Sequence, residues 1–368
     1  MSSITRIAAV DIGNDSLKAV FPGHKVHIPN VVANMSEERQ VVALEQNPLD
    51  GLHCSILSGA LKQGKGVFAV GKLASEQENH DEVSVDMDKA TNDQTIVMLL
   101  TALALDAVQS SQGDNSMIEA TYKLSTGLPL RETKRKLRPI FRDRLLQNSH
   151  EVTFLDTPVY QGKRVRIQFE EVLVGSEGHA AMVDLVLNEN GSIKNEELMN
   201  AHVLIHDIGG MSTDSAIIKP GGDVDNTHSE GLKEGVSPYL DQIIDKVLDE
   251  YGYTFRSRKN VVDVITDAQE RYQIYVKGNR TSIKSIVDEV FLPLAREEYK
   301  QIRKLWTRIP EIRFAYLIGG GAVLLKDYLE TLNRDSENYP LRFLEAEQSV
   351  WSIANAYYKL ALSQFTQE

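Results

Sequence analysis

With 368 residues, 42% of them hydrophobic and 25% charged, the chain has room for two ordinary domains and the composition of a folded protein rather than a disordered one. Its 40 Lys and Arg against 52 Asp and Glu leave a net charge of −12, a poor unaided match for nucleic acid, whose phosphates require clustered Lys and Arg. Cys54 stands alone, which excludes an intramolecular disulfide and fits a reducing cytoplasm, and no apolar run nears the ~20 residues that cross a bilayer.

Ile4 to Val10 is apolar and β-prone and ends in Asp11-Ile12-Gly13-Asn14-Asp15-Ser16, after which Leu17 to Phe21 resumes a strand-like run. Strand, tight polar turn and strand predict a hairpin. Ile56 to Gly71 predicts a second one, turning at Lys62 to Gly66. Asn92 to Val108 is apolar almost all round at helical spacing, the mark of a buried helix. Glu119 to Leu130 reads as a strand entering Thr126-Gly127-Leu128-Pro129, and Glu132 to Gln147 as one basic helix. Strands follow over Val152 to Val174, broken at Gln161-Gly162-Lys163, and then a helix from Glu177 to Leu187.

A further strand, His202 to His206, enters Asp207-Ile208-Gly209-Gly210-Met211-Ser212-Thr213-Asp214 and is followed by strand-like Ser215 to Ile218. Helices are predicted over Ser237 to Tyr251 and Ser282 to Arg308. Phe314 to Ile318 reads as a strand leading into Gly319-Gly320-Gly321, with a helix from Val323 onward. The last segment, Ser349 to Leu362, is an amphipathic helix.

Asp-Ile-Gly after an apolar strand thus occurs at Asp11 and again at Asp207. That separation is far too long for a solenoid and suits two related lobes, each offering one hairpin to a shared cleft. Glycines at such turns let backbone N–H groups converge on an anion, and a carboxylate at the strand end can hold Mg²⁺ through its water shell. Either hairpin alone reads first as a plain turn; the matched pair, with Ser212 and Thr213 as hydroxyl donors, favours a grip on a nucleotide polyphosphate. Gly319 to Gly321 sits between strand and helix, where backbone can approach a phosphate or nucleoside.

Several near-matches carry less. Gly59 to Gly66 spells a P-loop except at its last position and has no helix after it. Asp86 and Asp88 lack the glycine and distal glutamate of a calcium loop. His202 and His206, four apart on a strand, are too distant for one metal ion, and the basic run Arg131 to Arg144 reads as a solvated face.

The ordered set Asp11 to Lys18, Thr126 to Pro129, Ser176-Glu177-Gly178, Asp207 to Asp214, Gly319 to Gly321 and Ala354 to Tyr358 resembles the actin/sugar kinase/heat-shock chaperone ATPase superfamily along essentially the whole chain. Within it, Thr126-Gly127-Leu128-Pro129 and the short build look most like the bacterial actin-like proteins of the ParM type, which segregate plasmids. The resemblance implies an α/β, actin-like two-domain fold: duplicated ribonuclease H-like mixed sheets with flanking helices around a central nucleotide cleft. Domain I would span 1–183, with the C-terminal helix 347–368 packed back on it, and domain II 184–346.

It implies ATP, with GTP as the alternative, and Mg²⁺ held through water by Asp11 and Asp207. The amides of Gly13, Asn14, Gly209 and Gly210 would cradle the phosphates, with Lys18, Ser212 and Thr213 as further donors and Asp15 capping its turn. Gly319, Gly320 and Gly321 would lie against the adenosine, with Glu270 and Arg271, in a helical segment, as neighbours of the ribose or base. Glu177 would orient or deprotonate the attacking water, although Ser176 precedes it where relatives often have Pro.

The implied function is an ATP hydrolase that assembles head to tail into filaments and moves plasmid DNA through a DNA-binding adaptor on the plasmid centromere. It would touch neither nucleic acid nor membrane directly. A sugar- or acetate-type kinase and a nucleotide-gated chaperone are the rivals within the superfamily.

Overall fold

The computed structural model describes residues 2–35, 47–77, 80–82, 87–111, 116–188, 192–232 and 234–366; Asp86 lies outside them. These residues divide into two compact units, residues 1–195 with 351–368, and residues 196–350. The first contains β1 (Ser2–Ile12), β2 (Ser16–Phe21), β3 (His24–Pro29), β4 (Val31–Asn34), β5 (Leu52–Ser58), β6 (Lys65–Val70), α1 (Lys72–Ser75), β7 (His80–Glu82), α2 (Asp93–Ser110), β8 (Met117–Leu128), α3 (Leu130–Lys134), α4 (Arg138–Leu146), β9 (His150–Phe154), β10 (Arg164–Ser176) and α5 (Glu177–Val186). The second contains α6 (Glu196–Met199), β11 (His202–Ile208), β12 (Thr213–Ile218), β13 (Glu230–Leu232), α7 (Ser237–Tyr251), α8 (Arg258–Thr266), β14 (Gln273–Val276), β15 (Asn279–Ser282), α9 (Lys284–Arg308), β16 (Ile312–Ile318), α10 (Gly319–Arg334) and β17 (Leu341–Phe343). The final helix, α11 (Ala346–Phe365), belongs to the first unit from Trp351 on.

Both units contain the same arrangement of strands. The first unit's sheet runs β3-β2-β1-β8-β10 before continuing through β9-β5-β6-β4-β7, and the second unit's sheet runs β13-β12-β11-β16-β17. In each quintet the first two pairings are antiparallel and the last two parallel. Each therefore has a central strand, β1 or β11, flanked by a hairpin partner and a parallel neighbour. This is the duplicated mixed sheet with flanking helices of an actin-like fold.

The core of the first unit surrounds α2, in which Gln94 through Ala107 are buried. Asn92 caps that helix by accepting from the Gln94 amide, and the one carboxylate carried inside, Asp106, accepts from Arg6 at 2.8 Å and from the Tyr122 hydroxyl at 2.7 Å. A buried charge is tolerated on those terms, because its partners replace the lost water. In the second unit all six residues of β12 are buried, and α9 and α10 supply the apolar residues that cover the sheet. Helix α11 docks by its aromatic side: Tyr357 lies against Gly127 on β8 and Gly175 on β10, where any Cβ would meet its ring. Lys359 fastens the same helix to α5 through the Asp184 carboxylate (2.7 Å) and the Leu187 carbonyl (2.8 Å).

Three sequence expectations are corrected. The basic segment Glu132 to Gln147 is two helices, because Pro139 has no amide to continue a ladder through Arg135, and Lys136 turns at φ 60°. The glycine run 319–321 forms the first turn of α10 instead of preceding it. Glu270 and Arg271 lie in a turn between α8 and the β14–β15 hairpin, not in a helix, and Arg271 pairs with Asp327 at 2.8 Å. Among the described residues no helix is long and apolar enough to cross a membrane.

Two outcomes follow from buried chemistry. Burial pushes the Cys54 thiol up to about 12, so 5,5′-dithiobis-nitrobenzoate at pH 8 is expected to leave the folded protein unlabelled and to react as urea opens the first unit. Glu230 is drawn down to about 2: partial burial opposes this, but hydrogen bonds from Lys304, Gln301 and Arg308 outweigh it. Its folded value lies below the ordinary 4.5, so its contribution is full above pH 4.5 and fades as pH falls toward 2. Chemical denaturation at pH 7 and pH 3 is expected to show a smaller pH dependence for Glu230→Gln than for the unaltered protein.

Candidate functional site

Ligands of α/β sheets gather where parallel strands end. In the first unit the register Val10–Thr126–Val174 places the ends of β1, β8 and β10 level, so Asp11, Gly127 and Gly175 lie along one edge and Glu177 just beyond it. The Thr126 hydroxyl donates to the Val10 carbonyl at 2.7 Å and ties the strand of Asp11 to its neighbour. Asp11 faces Lys18 across the hairpin, with Nζ 3.9 Å from Oδ2. Ile12 pairs with Leu17, which leaves Gly13, Asn14, Asp15 and Ser16 as a four-residue turn.

That turn is pinned from behind. Asn30 donates its side-chain amide to the Gly13 carbonyl (2.8 Å) and its backbone N–H to the Asp15 carbonyl (2.9 Å). Gln94, in the first turn of α2, in turn donates to Asn30. With the carbonyls turned back into the protein, the turn is held in one shape, and Asp15 is exposed at its tip. At Gly13 a Cβ would stand 2.8 Å from the Ser16 carbonyl oxygen and 3.3 Å from the Lys18 ammonium.

Glu177 opens α5, and its carboxylate accepts from Lys89 at 2.7 Å. Both side chains are largely buried. Burial works against the Lys89 ammonium, yet the negative charges of Glu177, Asp11 and Glu132 prevail and hold its pKa above the ordinary lysine value. Lys89 is therefore charged, and it links the electrostatics of Asp11 and Glu177. Ser176, the N-cap of α5, leaves its buried Oγ without a hydrogen-bond partner among the described residues.

The second unit repeats the plan at Asp207. Ile208 pairs with Thr213, which leaves Gly209, Gly210, Met211 and Ser212 as another four-residue turn. Across this hairpin Asp207 faces Asp214, where the first unit has Asp11 facing Lys18. The chain leading into α7 closes on the turn: Val236 and Ser237 donate to the carbonyls of Gly209 (3.1 Å) and Gly210 (2.7 Å). Only a glycine fits at 235, since a Cβ there would lie 2.6 Å from the Gly209 oxygen. Gly319, at φ 85°, comes up against the Asp207 carboxylate, and Gly321 packs on Ile208. Beside this turn Leu317, Ala322, Val323, Lys326, Phe343 and Glu345 line a cavity of about 160 Å³.

The two hydroxyls differ. Thr213 is fully buried and donates to Glu298 at 2.8 Å, and His206 lies between Glu298 (3.0 Å) and Ser215 (2.9 Å). The Thr213 hydroxyl thus serves the interior of its own unit, and Ser212 is the half-exposed one. Asp11, Gly13, Asn14, Asp15, Lys18 and Glu177 are assembled on the first unit, and Asp207, Gly209, Gly210, Ser212, Thr213, Gly319, Gly320 and Gly321 on the second. Lys89, Glu132, Asn30 and Gln94 escape a sequence reading, because no periodicity or motif marks them. Gly235 carried a signal, a glycine just before the Ser237-Pro238 helix start.

Among the described residues no three His, Cys, Asp and Glu side chains gather as a metal-ion cluster. Mg²⁺ does not need one, since it retains most of its waters and takes one or two carboxylates. Asp11 fits that demand: it is buried, and its cationic neighbour stands beyond hydrogen-bond reach.

Residues 9–179 match the family model of the actin-like proteins' N-terminal domain, and residues 202–343 match that of the Alp7A C-terminal domain. No curated protein matches the chain significantly. Among solved structures, the actin-like protein Alp7A aligns at 16% identity with a TM-score of 0.79, over 99% of this chain and 98% of its own. Bacillus thuringiensis ParM with ATP aligns at 19% identity and a TM-score of 0.74, over 99% and 100%. A 15-stranded ParM filament from Clostridium botulinum gives 19% identity and 0.71, over 99% and 100%. The chain spans 49% of a longer Bacillus thuringiensis hybrid that contains two ParM mutants, at 20% identity and a TM-score of 0.74 over 98% of this chain. At these identities the likeness is one of fold.

The glycine run gives a paired expectation. A Cβ at Gly321 would stand 2.5 Å from Ile208 Cγ2, whereas at Gly320 it would meet nothing within 4 Å. Urea denaturation is expected to show Gly321→Ala destabilised by about 1–3 kcal/mol. Gly320→Ala is expected to remain within about 0.5 kcal/mol of the unaltered protein or to gain slightly.

Proposed function

Because the chain belongs to the actin-like proteins, we propose that it is a filament-forming nucleotide hydrolase. In this reading it assembles head to tail with Mg-ATP, hydrolyses the nucleotide, and drives plasmid DNA segregation through a DNA-binding adaptor. The observation that carries this is the duplication itself: the same five-strand order in both units, each with an aspartate at the end of its central strand and a four-residue glycine turn after it. Each such turn suits a phosphate group. Relatives of the same fold include a ParM solved with ATP and a ParM solved as a filament.

The proposed division of labour rests on the two turns and the strand ends beside them. Backbone amides of Gly13, Asn14 and Gly210 would donate to phosphate oxygens, helped by the Lys18 ammonium and the Ser212 hydroxyl, whereas the Gly209 amide, expected to join them, is taken up by the Ser212 carbonyl at 2.9 Å. Asp11 and Asp207 would hold Mg²⁺ through its waters, and the ion, when bound, would offset the phosphate charge. Gly319, Gly320 and Gly321 let the start of α10 approach the nucleoside, beside the cavity under Phe343. Glu177, on the edge where β10 ends, orients the attacking water. The Lys89 ammonium at 2.7 Å fixes the direction of this carboxylate, which suits it to orientation. A net charge of −12 suits a protein that reaches DNA through an adaptor, in the cytoplasm, with no membrane contact of its own.

Right-angle light scattering after addition of Mg-ATP, with phosphate release followed in the same sample, tests the reading. Scattering is expected to rise above a critical protein concentration and to decay as phosphate appears. Glu177→Ala is expected to keep the rise and to slow phosphate release by about a hundredfold or more. Flat scattering, with ATP consumed only when a sugar or carboxylic acid acceptor is supplied, would overturn it in favour of a small-molecule kinase.

A further inference from the structure

Lys89 belongs to no motif, yet it is the most tightly held cation near the Glu177 carboxylate. Its ammonium is buried and stands 2.7 Å from Glu177 Oε1. Burying a lysine is unfavourable unless a counter-charge compensates it, and its long stem ordinarily has many rotamers to lose. Here the backbone around it is clamped on both sides. The amides of Lys89 and Ala90 donate to the two oxygens of the buried Glu132 carboxylate, at 2.9 and 3.0 Å. The Ala90 carbonyl accepts from Arg144 at 2.8 Å, and the same guanidinium reaches the Ala60 carbonyl (2.7 Å) and the Asp93 carboxylate (3.0 Å). Arg131 and Arg135 grip Asp88, the preceding residue, at 2.9 and 2.6 Å.

So many restraints are more than a lone stabilising ion pair requires. They converge on the position of one ammonium, and that ammonium touches the one carboxylate on the strand-end edge that is placed to orient water. We infer that Lys89 is a positioning residue for hydrolysis, fixing the Glu177 carboxylate in its water-orienting pose, and that Glu132 holds Lys89 in place for that purpose. This rests on the hydrolase reading above. A carboxylate misplaced by about 1 Å is enough to cost two orders of magnitude in rate.

The test is steady-state phosphate release by the full chain with Mg-ATP, for the unaltered protein, Lys89→Met, Glu177→Gln and the double variant, with binding of a fluorescent ATP analogue and thermal unfolding measured alongside. Lys89→Met is expected to lower kcat about ten- to a hundredfold while KM and analogue affinity change less than about threefold, and to cost nothing further in the Glu177→Gln background. Lys89→Arg is expected to recover part of kcat. An unchanged kcat in folded, ATP-binding Lys89→Met, or a full additional loss in the double variant, would overturn the positioning role while leaving the hydrolase reading intact. Absence of phosphate release from the unaltered protein would instead overturn that reading and this role with it. Should Lys89→Met fail to fold, Glu132→Gln gives the same decision: it keeps the ammonium and loosens its clamp, and its several-fold fall in kcat is expected to vanish in the Glu177→Gln background.

Discussion

Everything at the edge of the first unit depends on three parallel strands ending level. The register that pairs Val10 with Thr126 and Thr126 with Val174 puts a carboxylate, two glycines and the start of α5 side by side. A slip of one residue would turn every side chain of a strand to the opposite face and carry Asp11 away from the edge. The register is held by apolar alternation along β8 and by the Thr126 hydroxyl on the Val10 carbonyl. The Gly127 and Gly175 surface is then flat enough for Tyr357 to lie across both strands. A local motif, Thr-Gly-Leu-Pro, thus acts through two different contacts: its threonine fixes a neighbouring strand and its glycine admits an aromatic ring.

The two glycine-turn hairpins were legible because their meaning is local. An apolar run, an aspartate and a glycine turn suffice to predict both strands, and the pairings around Asp11 and Asp207 follow. The buried helix at Asp93–Ser110 was equally plain, since an apolar surface all round has only one place to go. The basic segment after Pro129 misled for an equally local reason: charge and helical spacing continue through Arg135 to Leu137, and the break depends on the missing amide of Pro139. The β14–β15 hairpin was hidden because β14 is only four residues long and β15, Asn-Arg-Thr-Ser, is polar and largely exposed, without the apolar residues that mark a half-buried strand.

What no single-sequence reading could reach is the polar support behind the site. Asn30 and Gln94 lie far apart in the chain, yet they act together on the Gly13 turn. Glu132 is an ordinary first-turn helix residue in sequence and a buried acceptor of two loop amides in space. Thr213 reads as one of two adjacent hydroxyls, but β12 turns it inward to Glu298 and leaves Ser212 at the turn. In each case the side chain's role is decided by which strand face or loop it meets, and that is a property of the tertiary register.

Tyr357 has one more consequence, in the order in which the chain is made. The ring that covers Gly127 and Gly175 comes after every residue of the second unit in the sequence. Domains emerging from a ribosome tend to fold from the N-terminus onward. The first unit must therefore wait, with the groove over its two glycines uncovered, until the whole of the second unit has been synthesised. Its strand-end edge and its final packing are separated in time by the birth of the other half of the molecule.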